Sequence, residues 1–201
     1  MTLVIAHRGA SWDEPENTIA AFRRAIELGA DYVELDVRAA RDGSLRVVHD
    51  RSKNATDAPT LDQALETILG SAGVMVDLKE VYRCRRHDLL RRVLALVDDN
   101  VLLAAFEPRV LEEAHRLRPR IRIVQHVENV RIARAARYAW AASFDDKRAT
   151  AAGFARARRL GLETLVYTVN DPERMSELAA LGATAIVSDR PDLLRRTLEC
   201  R

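Results

Sequence analysis

Eight times along this chain, a short apolar run of strand length is followed by a stripe of helical period, with no Pro-, Gly- or Ser-rich linker between units. The runs are LVIA (3–6), YVELDV (32–37), GVMVDLKEV (73–81), VLLAAF (101–106), IRIVQHV (121–127), AASFD (141–145), TLVYTV (164–169) and TAIVSD (184–189). Near-continuous apolar runs suit parallel strands buried on both faces, and AASFD is the weakest of them. RDGSLRVVHD adds a turn and a short extended piece ending at His49 and Asp50.

Between the runs, helices are predicted from Asn17 to Ala30, from Thr60, from about Arg86 to Asp98, over Val110–Leu117, over Val130–Ala139, over Ala151–Leu160, after Asp171, and from about Asp192. Asn17 is placed as the cap of the first helix. Thr60 with Gln63 forms a capping-box pattern, and Asp171 followed by Pro172 marks another helix start. The natural closure of such an alternation is an α/β architecture, a (β/α)8 TIM barrel forming a single domain over residues 1–201. At about 25 residues per unit the barrel is compact. An open doubly wound sheet is the alternative, because alternation alone does not show closure.

Composition narrows the function classes. With 48% hydrophobic and 31% charged residues over 201 positions, the chain can bury a full core. It has no run of about 18 apolar residues and no basic segment leading into an apolar stretch, so no transmembrane segment or signal peptide is expected, and the location expected is cytoplasmic. A formal charge of +2 gives no basis for nucleic-acid binding, and the basic stretch RCRRHDLLRR (83–92) reads as a solvated helix face. Cys84 and Cys200 have neither metal-ligand nor disulfide-framework spacing. The basic residues are 29 Arg and three Lys, which makes Lys53, Lys79 and Lys147 worth locating.

Chemistry in a barrel collects where the strands end. His7 and Arg8 end the first run, Glu34 and Asp36 the second, Asp77 and Lys79 the third, and Asn170 the seventh. Glu34 and Asp36, two residues apart in a strand, point to one side roughly 7 Å apart. With Asp77 from the neighbouring strand they would converge, and three carboxylates together call for a cation that takes oxygen ligands, Mg²⁺ or Ca²⁺. Pairing with the abundant arginines is the other reading. His7 and His49 are candidates for acid and base, since imidazole titrates near neutral pH, or else structural histidines. His87, His115 and His126 are read as structural.

HRGA…PENT, VELDV…DGSLRVVHD, VDLK, YTVND and VSDRPD, in that order from Ile5 to Asp192, together resemble the glycerophosphodiester phosphodiesterase family. The resemblance implies a barrel that hydrolyses glycerophosphodiesters to an alcohol and glycerol 3-phosphate with a divalent cation. Carried over by position, His7 and His49 are the acid/base pair, and Glu34, Asp36 and Asp77 are the metal ligands. Arg8 and Lys79 hold the phosphate, Tyr167 contacts substrate, and Asn17 caps the first helix and orders the loop behind the site. The nucleophile is water or a neighbouring hydroxyl of the substrate.

Three departures stand out. The family commonly has Glu where this chain has Asp77, one methylene shorter, which motivates a third reading as an impaired barrel that only binds a phosphorylated ligand. Many members carry Trp at the position of Tyr167. Only nine residues, RSKNATDAP, separate Asp50 from Thr60, where typical members carry a longer insertion over the substrate. Venom-type phospholipases D also lack it, so a phospholipase D-like enzyme acting on lysophospholipids is the runner-up. The expected partner is then a small phosphodiester or a lysophospholipid, with a more open mouth and Trp12 either at the rim or packing the first loop.

Overall fold

In the computed structural model the described residues are 1–40, 42–50, 57–79 and 88–199. The strands are β1 (Leu3–Ala6), β2 (Tyr32–Ala39), β3 (Leu45–Val47), β4 (Gly73–Leu78), β5 (Leu102–Ala105), β6 (Arg122–His126), β7 (Ala141–Asp145), β8 (Glu163–Tyr167) and β9 (Ala185–Ser188). The helices are α1 (Ile19–Glu27), α2 (Leu61–Ile68), α3 (Leu89–Leu96), α4 (Pro108–Leu117), α5 (Ile132–Ala135), α6 (Ala151–Arg159), α7 (Pro172–Ala180) and α8 (Pro191–Glu199).

All strands except β3 are parallel, and each hydrogen-bonds to the next in chain order. β1 pairs with both β2 and β9, with Ile5 opposite Tyr32 on one side and Val187 on the other. That pairing closes an eight-stranded α/β TIM barrel and excludes the open sheet. β3 lies antiparallel on β2 outside the ring, with Val47 opposite Val37.

Strand alternation splits the core in two. Ile5, Met75, Leu102, Val124, Leu165 and Val187 fill the barrel interior, narrowed by Ala104, Ala141 and Ala185. Val4, Val33, Leu35, Val37, Val76 and Leu103 face outward under the helices, packing with Phe22, Leu61, Leu111 and Phe154. Each fully buried Leu, Ile or Phe contributes about 2 kcal/mol through apolar area removed from water. At the start of the strands, the Arg122 guanidinium lies between the rings of Tyr32 and Trp140, 6.0 and 5.3 Å from their centroids, and donates to the Tyr32 hydroxyl at 2.9 Å. A polar group stacked in this way covers the lower end of the interior.

Several local expectations shift. Thr18, not Asn17, caps α1: the Thr18 side chain accepts from the Ala21 amide, and its backbone is extended as a cap requires. Asn17 has φ +59 and its side chain is engaged elsewhere. The helix predicted over Val130–Ala139 shrinks to α5, because Arg131 at its cap position offers no side-chain acceptor and the chain must enter β7 at Ala141. The capping box of Thr60 and Gln63 is present, and the Asp171 cap with Pro172 starts α7. Lys53, Glu80, Cys84, His87 and Cys200 lie outside the described residues, as do positions 51–56 of the shortened connection. Among the described residues, no helix is long and apolar enough to cross a membrane.

Candidate active site

Because Val33, Leu35 and Val37 face the helices, Glu34 and Asp36 must face inward, and the register of β4 sets Asp77 beside Asp36. All three are buried, and one carboxylate oxygen from each lies within 4.8 Å of the others. Burial and then the neighbouring Asp36 push the Glu34 carboxyl up to about 8. Asp77 behaves oppositely. Burial works against its charged form, but Lys79 and His126 outweigh burial and hold Asp77 below the usual carboxylate range.

The counter-charge comes from two cations. Lys79 Nζ lies 2.9 Å from Asp36 Oδ1 and 2.6 Å from Asp77 Oδ2. Although burial disfavours its ammonium, the carboxylates, Asp77 foremost, hold the Lys79 pKa above the ordinary lysine value. The Arg8 guanidinium donates to Glu16 at 2.6 Å, and its Nε is 3.1 Å from Asp36 Oδ2. Asp77 Oδ1 has no hydrogen-bond partner. Three buried carboxylates with an unsatisfied oxygen form a donor set that suits a hard divalent cation, and Asp77 reaches the cluster despite its shorter side chain.

The turn after β1 makes this arrangement possible. Arg8 and Gly9 both have positive φ, +56 and +84, so the chain reverses at once and the Arg8 amide donates to Glu34 Oε2 at 2.8 Å. Only glycine fits at position 9, where a Cβ would stand 2.6 Å from the carbonyl carbon of Ala21 in α1. Asn17 completes the corner by exchanging two hydrogen bonds with Asp36: its Nδ2 donates to Oδ2 at 2.8 Å and its Oδ1 accepts from the Asp36 amide at 3.1 Å. The residue expected to cap α1 instead braces a carboxylate of the cluster.

His7 Nδ1 is 2.7 Å from Asp189 Oδ1. Asp189 also accepts from Ser11 Oγ at 2.9 Å and Asn170 Nδ2 at 2.6 Å, while Asn170 Oδ1 accepts from Ser188 Oγ and the Asp189 amide. Burial disfavours charge on both partners, yet the contact overcomes it: His7 is raised and Asp189 is held down at about 2. A depressed carboxylate contributes stability above its unfolded pKa and loses it as pH falls through the folded value. Asp189→Asn is therefore expected to cost about 2 kcal/mol near pH 6, with the gap to wild type closing as pH falls from about 4 towards 2. Urea unfolding across a pH series reads this, and a gap independent of pH would refute the pairing. His7 adds the opposite limb, its share being lost as pH rises through its folded pKa.

His49 follows β3. Its carbonyl accepts from Arg38 Nε at 2.6 Å, and its Nδ1 is 2.9 Å from Asp50 Oδ1. His7, Arg8, Glu34, His49, Asp77, Lys79 and Tyr167 all line one cavity of about 230 Å³, with Asp36 beneath them. The far wall is aromatic. Phe106 stacks on His126 at 4.4 Å between centroids, and Tyr167 meets His126 edge-on at 4.8 Å. The Tyr167 hydroxyl donates to Glu128 Oε1 at 2.8 Å.

Sequence reasoning missed the places of His126 and Asp189. His126 was expected to be structural, yet it borders the cavity with Nε2 3.4 Å from Asp77 Oδ2; its place at the end of an apolar run was the available signal. Asp189 also ends a run, but only closure of β9 on β1 sets it beside His7. His115 lies on α4, away from the cavity. Trp12 is 65% exposed, with the Arg190 guanidinium 5.2 Å from its ring centroid.

The glycerophosphoryl diester phosphodiesterase family model matches residues 7–85 and 58–193. A glycerophosphodiester phosphodiesterase of Caldanaerobacter subterraneus is 44% identical over 110 residues, a match covering 53% of this chain and 44% of that protein. The probable glycerophosphodiester phosphodiesterase 1 of Mycobacterium tuberculosis strain H37Rv is 32% identical, with 94% of this chain and 73% of that protein covered. The crystal structure of a glycerophosphodiester phosphodiesterase from Agrobacterium tumefaciens superposes with TM-score 0.80 at 29% identity, covering 99% of this chain and all of the other. With the family model spanning nearly the whole barrel, this chain belongs to the glycerophosphoryl diester phosphodiesterase family and is a phosphoric diester hydrolase.

Proposed function

We propose that the chain hydrolyses glycerophosphodiesters to an alcohol and glycerol 3-phosphate, with His7 and His49 as the acid/base pair. The observation that carries this reading is that both histidines border the same small cavity as the buried carboxylates and Lys79. Each has Nδ1 against a carboxylate, Asp189 or Asp50, which leaves Nε2 as the working nitrogen. One takes the proton of the attacking oxygen, and the other returns a proton to the departing alkoxide.

Glu34, Asp36 and Asp77 are the residues to hold a divalent cation, Mg²⁺ or Ca²⁺, which when bound stabilises the negative charge that builds on the phosphoryl oxygens. Lys79 and Arg8 both border the cavity and are the cations to hold the phosphate. Tyr167, fixed by Glu128, gives the alcohol moiety an apolar face.

Phosphorus NMR with glycerophosphocholine and glycerophosphoethanolamine tests the reading. The expected result is a growing glycerol 3-phosphate resonance with Mg²⁺ or Ca²⁺ present, abolished by EDTA. A transient cyclic phosphate identifies the substrate's own hydroxyl as nucleophile. Absence of turnover with either cation, together with tight binding of glycerol 3-phosphate, favours the barrel that only binds a phosphorylated ligand. Lysophospholipid hydrolysis is the second reading, favoured by the exposed rings of Trp12 and Phe106. It requires turnover of a lysophospholipid at least equal to that of glycerophosphocholine.

A further inference from the structure

We infer that Arg38 is a positioning residue for the reaction: by donating to the His49 carbonyl, it ties the segment that carries His49 to the barrel wall and so sets where the imidazole stands. This rests on the assignment of His49 to the acid/base pair above. Arg38 stands two residues beyond Asp36 in β2, on the same side of the strand. Its Nε donates to the His49 carbonyl oxygen at 2.6 Å. A guanidinium bond to a carbonyl is charge-assisted, and the planar fork fixes its direction as well as its length.

The two histidines differ in what holds them. His7 directly follows β1, a strand of the closed ring, and its amide donates to the carbonyl of Ser188 in β9 at 2.9 Å. The acid on its ring, Asp189, comes from a distant part of the chain and is itself held by Ser11 and Asn170. Main chain and imidazole of His7 are thus both fixed from outside their own segment.

His49 is held differently. It follows β3, which is three residues long and, of the strands, pairs with β2 alone. Among the described residues, the last backbone hydrogen bond before it runs from the Val48 amide to the Asp36 carbonyl at 2.9 Å. The carboxylate on its Nδ1 is that of Asp50, the next residue, which moves with His49 and gives the ring no anchor beyond its own segment. Its side chain is also the more exposed, 35% against 20% for His7. Arg38 supplies the missing tie, joining the His49 main chain to the buried strand that carries Glu34 and Asp36. A catalytic group displaced by about 1 Å loses up to about 10²-fold in rate, so such a tie matters to chemistry.

Arg38→Met removes the donor and keeps an unbranched side chain. With glycerophosphocholine it is expected to lower kcat about 10-fold and leave KM within about twofold of wild type, and Arg38→Lys, which keeps a cationic donor, should recover part of the rate. The deciding comparison is made in a His49→Ala background. There Arg38→Met should cost no more than about twofold, because residues that act through one another are not additive. An equal loss in both backgrounds, or an unchanged kcat in Arg38→Met alone, overturns the inference. Should the Met variant not fold, Arg38→Gln, which keeps a neutral donor, takes its place in both backgrounds with a loss of a few-fold expected. Carbon-13 NMR follows the same tie without turnover. The His49 Cε1–H resonance, identified by its loss in His49→Ala, should shift or broaden in the Arg38 variant, while that of His115 on α4 stays in place. That result in a protein without diesterase activity counts against the phosphodiesterase reading alone, and a His49 resonance that does not move counts against Arg38.

Discussion

Replacing His7 with alanine is expected to lower turnover of a glycerophosphodiester by about 10²- to 10⁴-fold, the usual share of acid-base catalysis, while the barrel stays folded. His49→Ala should do the same. The two variants separate chemistry from architecture because neither side chain belongs to the hydrophobic core, and each hydrogen-bonds through Nδ1 to an acid beside the cavity. The His7 variant should also change in pH dependence. His7 sits against Asp189, which raises its proton affinity despite burial, so the His7 variant should lose a limb of the rate profile lying above the ordinary imidazole range. Near-wild-type rates in both variants would sink the assignment. Folding is read by circular dichroism and urea unfolding: His7→Ala is expected to lower the midpoint by its share of the Asp189 pair, and a rate loss in protein still fully folded without urea is chemical.

Lys79→Met is expected to have the largest effect on stability. Its ammonium lies between Asp36 and Asp77, both almost fully buried, with Glu34 beside them. Methionine fills similar volume but removes the cation that touches both aspartates, leaving the Arg8 guanidinium beside Asp36 and the His126 ring 3.4 Å from Asp77. Breaking a buried ion pair by removing one partner costs about 3–5 kcal/mol, because the surviving charge stays desolvated. Urea unfolding in EDTA should show this loss, and adding Ca²⁺ should recover part of it, since a cation bound to the same oxygens restores the missing charge. The same midpoint for wild type and variant in EDTA would mean that the cluster discharges itself by protonation, with Glu34 first, as its raised pKa allows. A full loss with no recovery in Ca²⁺ would argue against a cation at these three residues.

Much of this protein was legible along the chain. The strand period of two puts Glu34 and Asp36 on one side wherever the strand is laid, and the eight runs coincide with the eight barrel strands. The capping box at Thr60 and the Asp171 cap followed by Pro172 are equally local, since a cap is satisfied within three residues. Where a local signal had two uses, tertiary contacts chose between them. Asn17 has the chemistry of a helix cap, but Asp36, nineteen residues away, offers it two hydrogen bonds, and the cap passes to Thr18.

Only the folded barrel decided the rest. His7 and Asp189 are 182 residues apart and meet because β9 closes on β1. His126 enters the site because β6 stands across the ring from β1, a relation that spacing along the chain does not encode. Strand and helix periods follow from backbone geometry at each residue, so they are written locally. Closure is a pairing of the first strand with the last, and side chains that meet across it share no pattern in the chain until the hydrogen bonds between those strands are made.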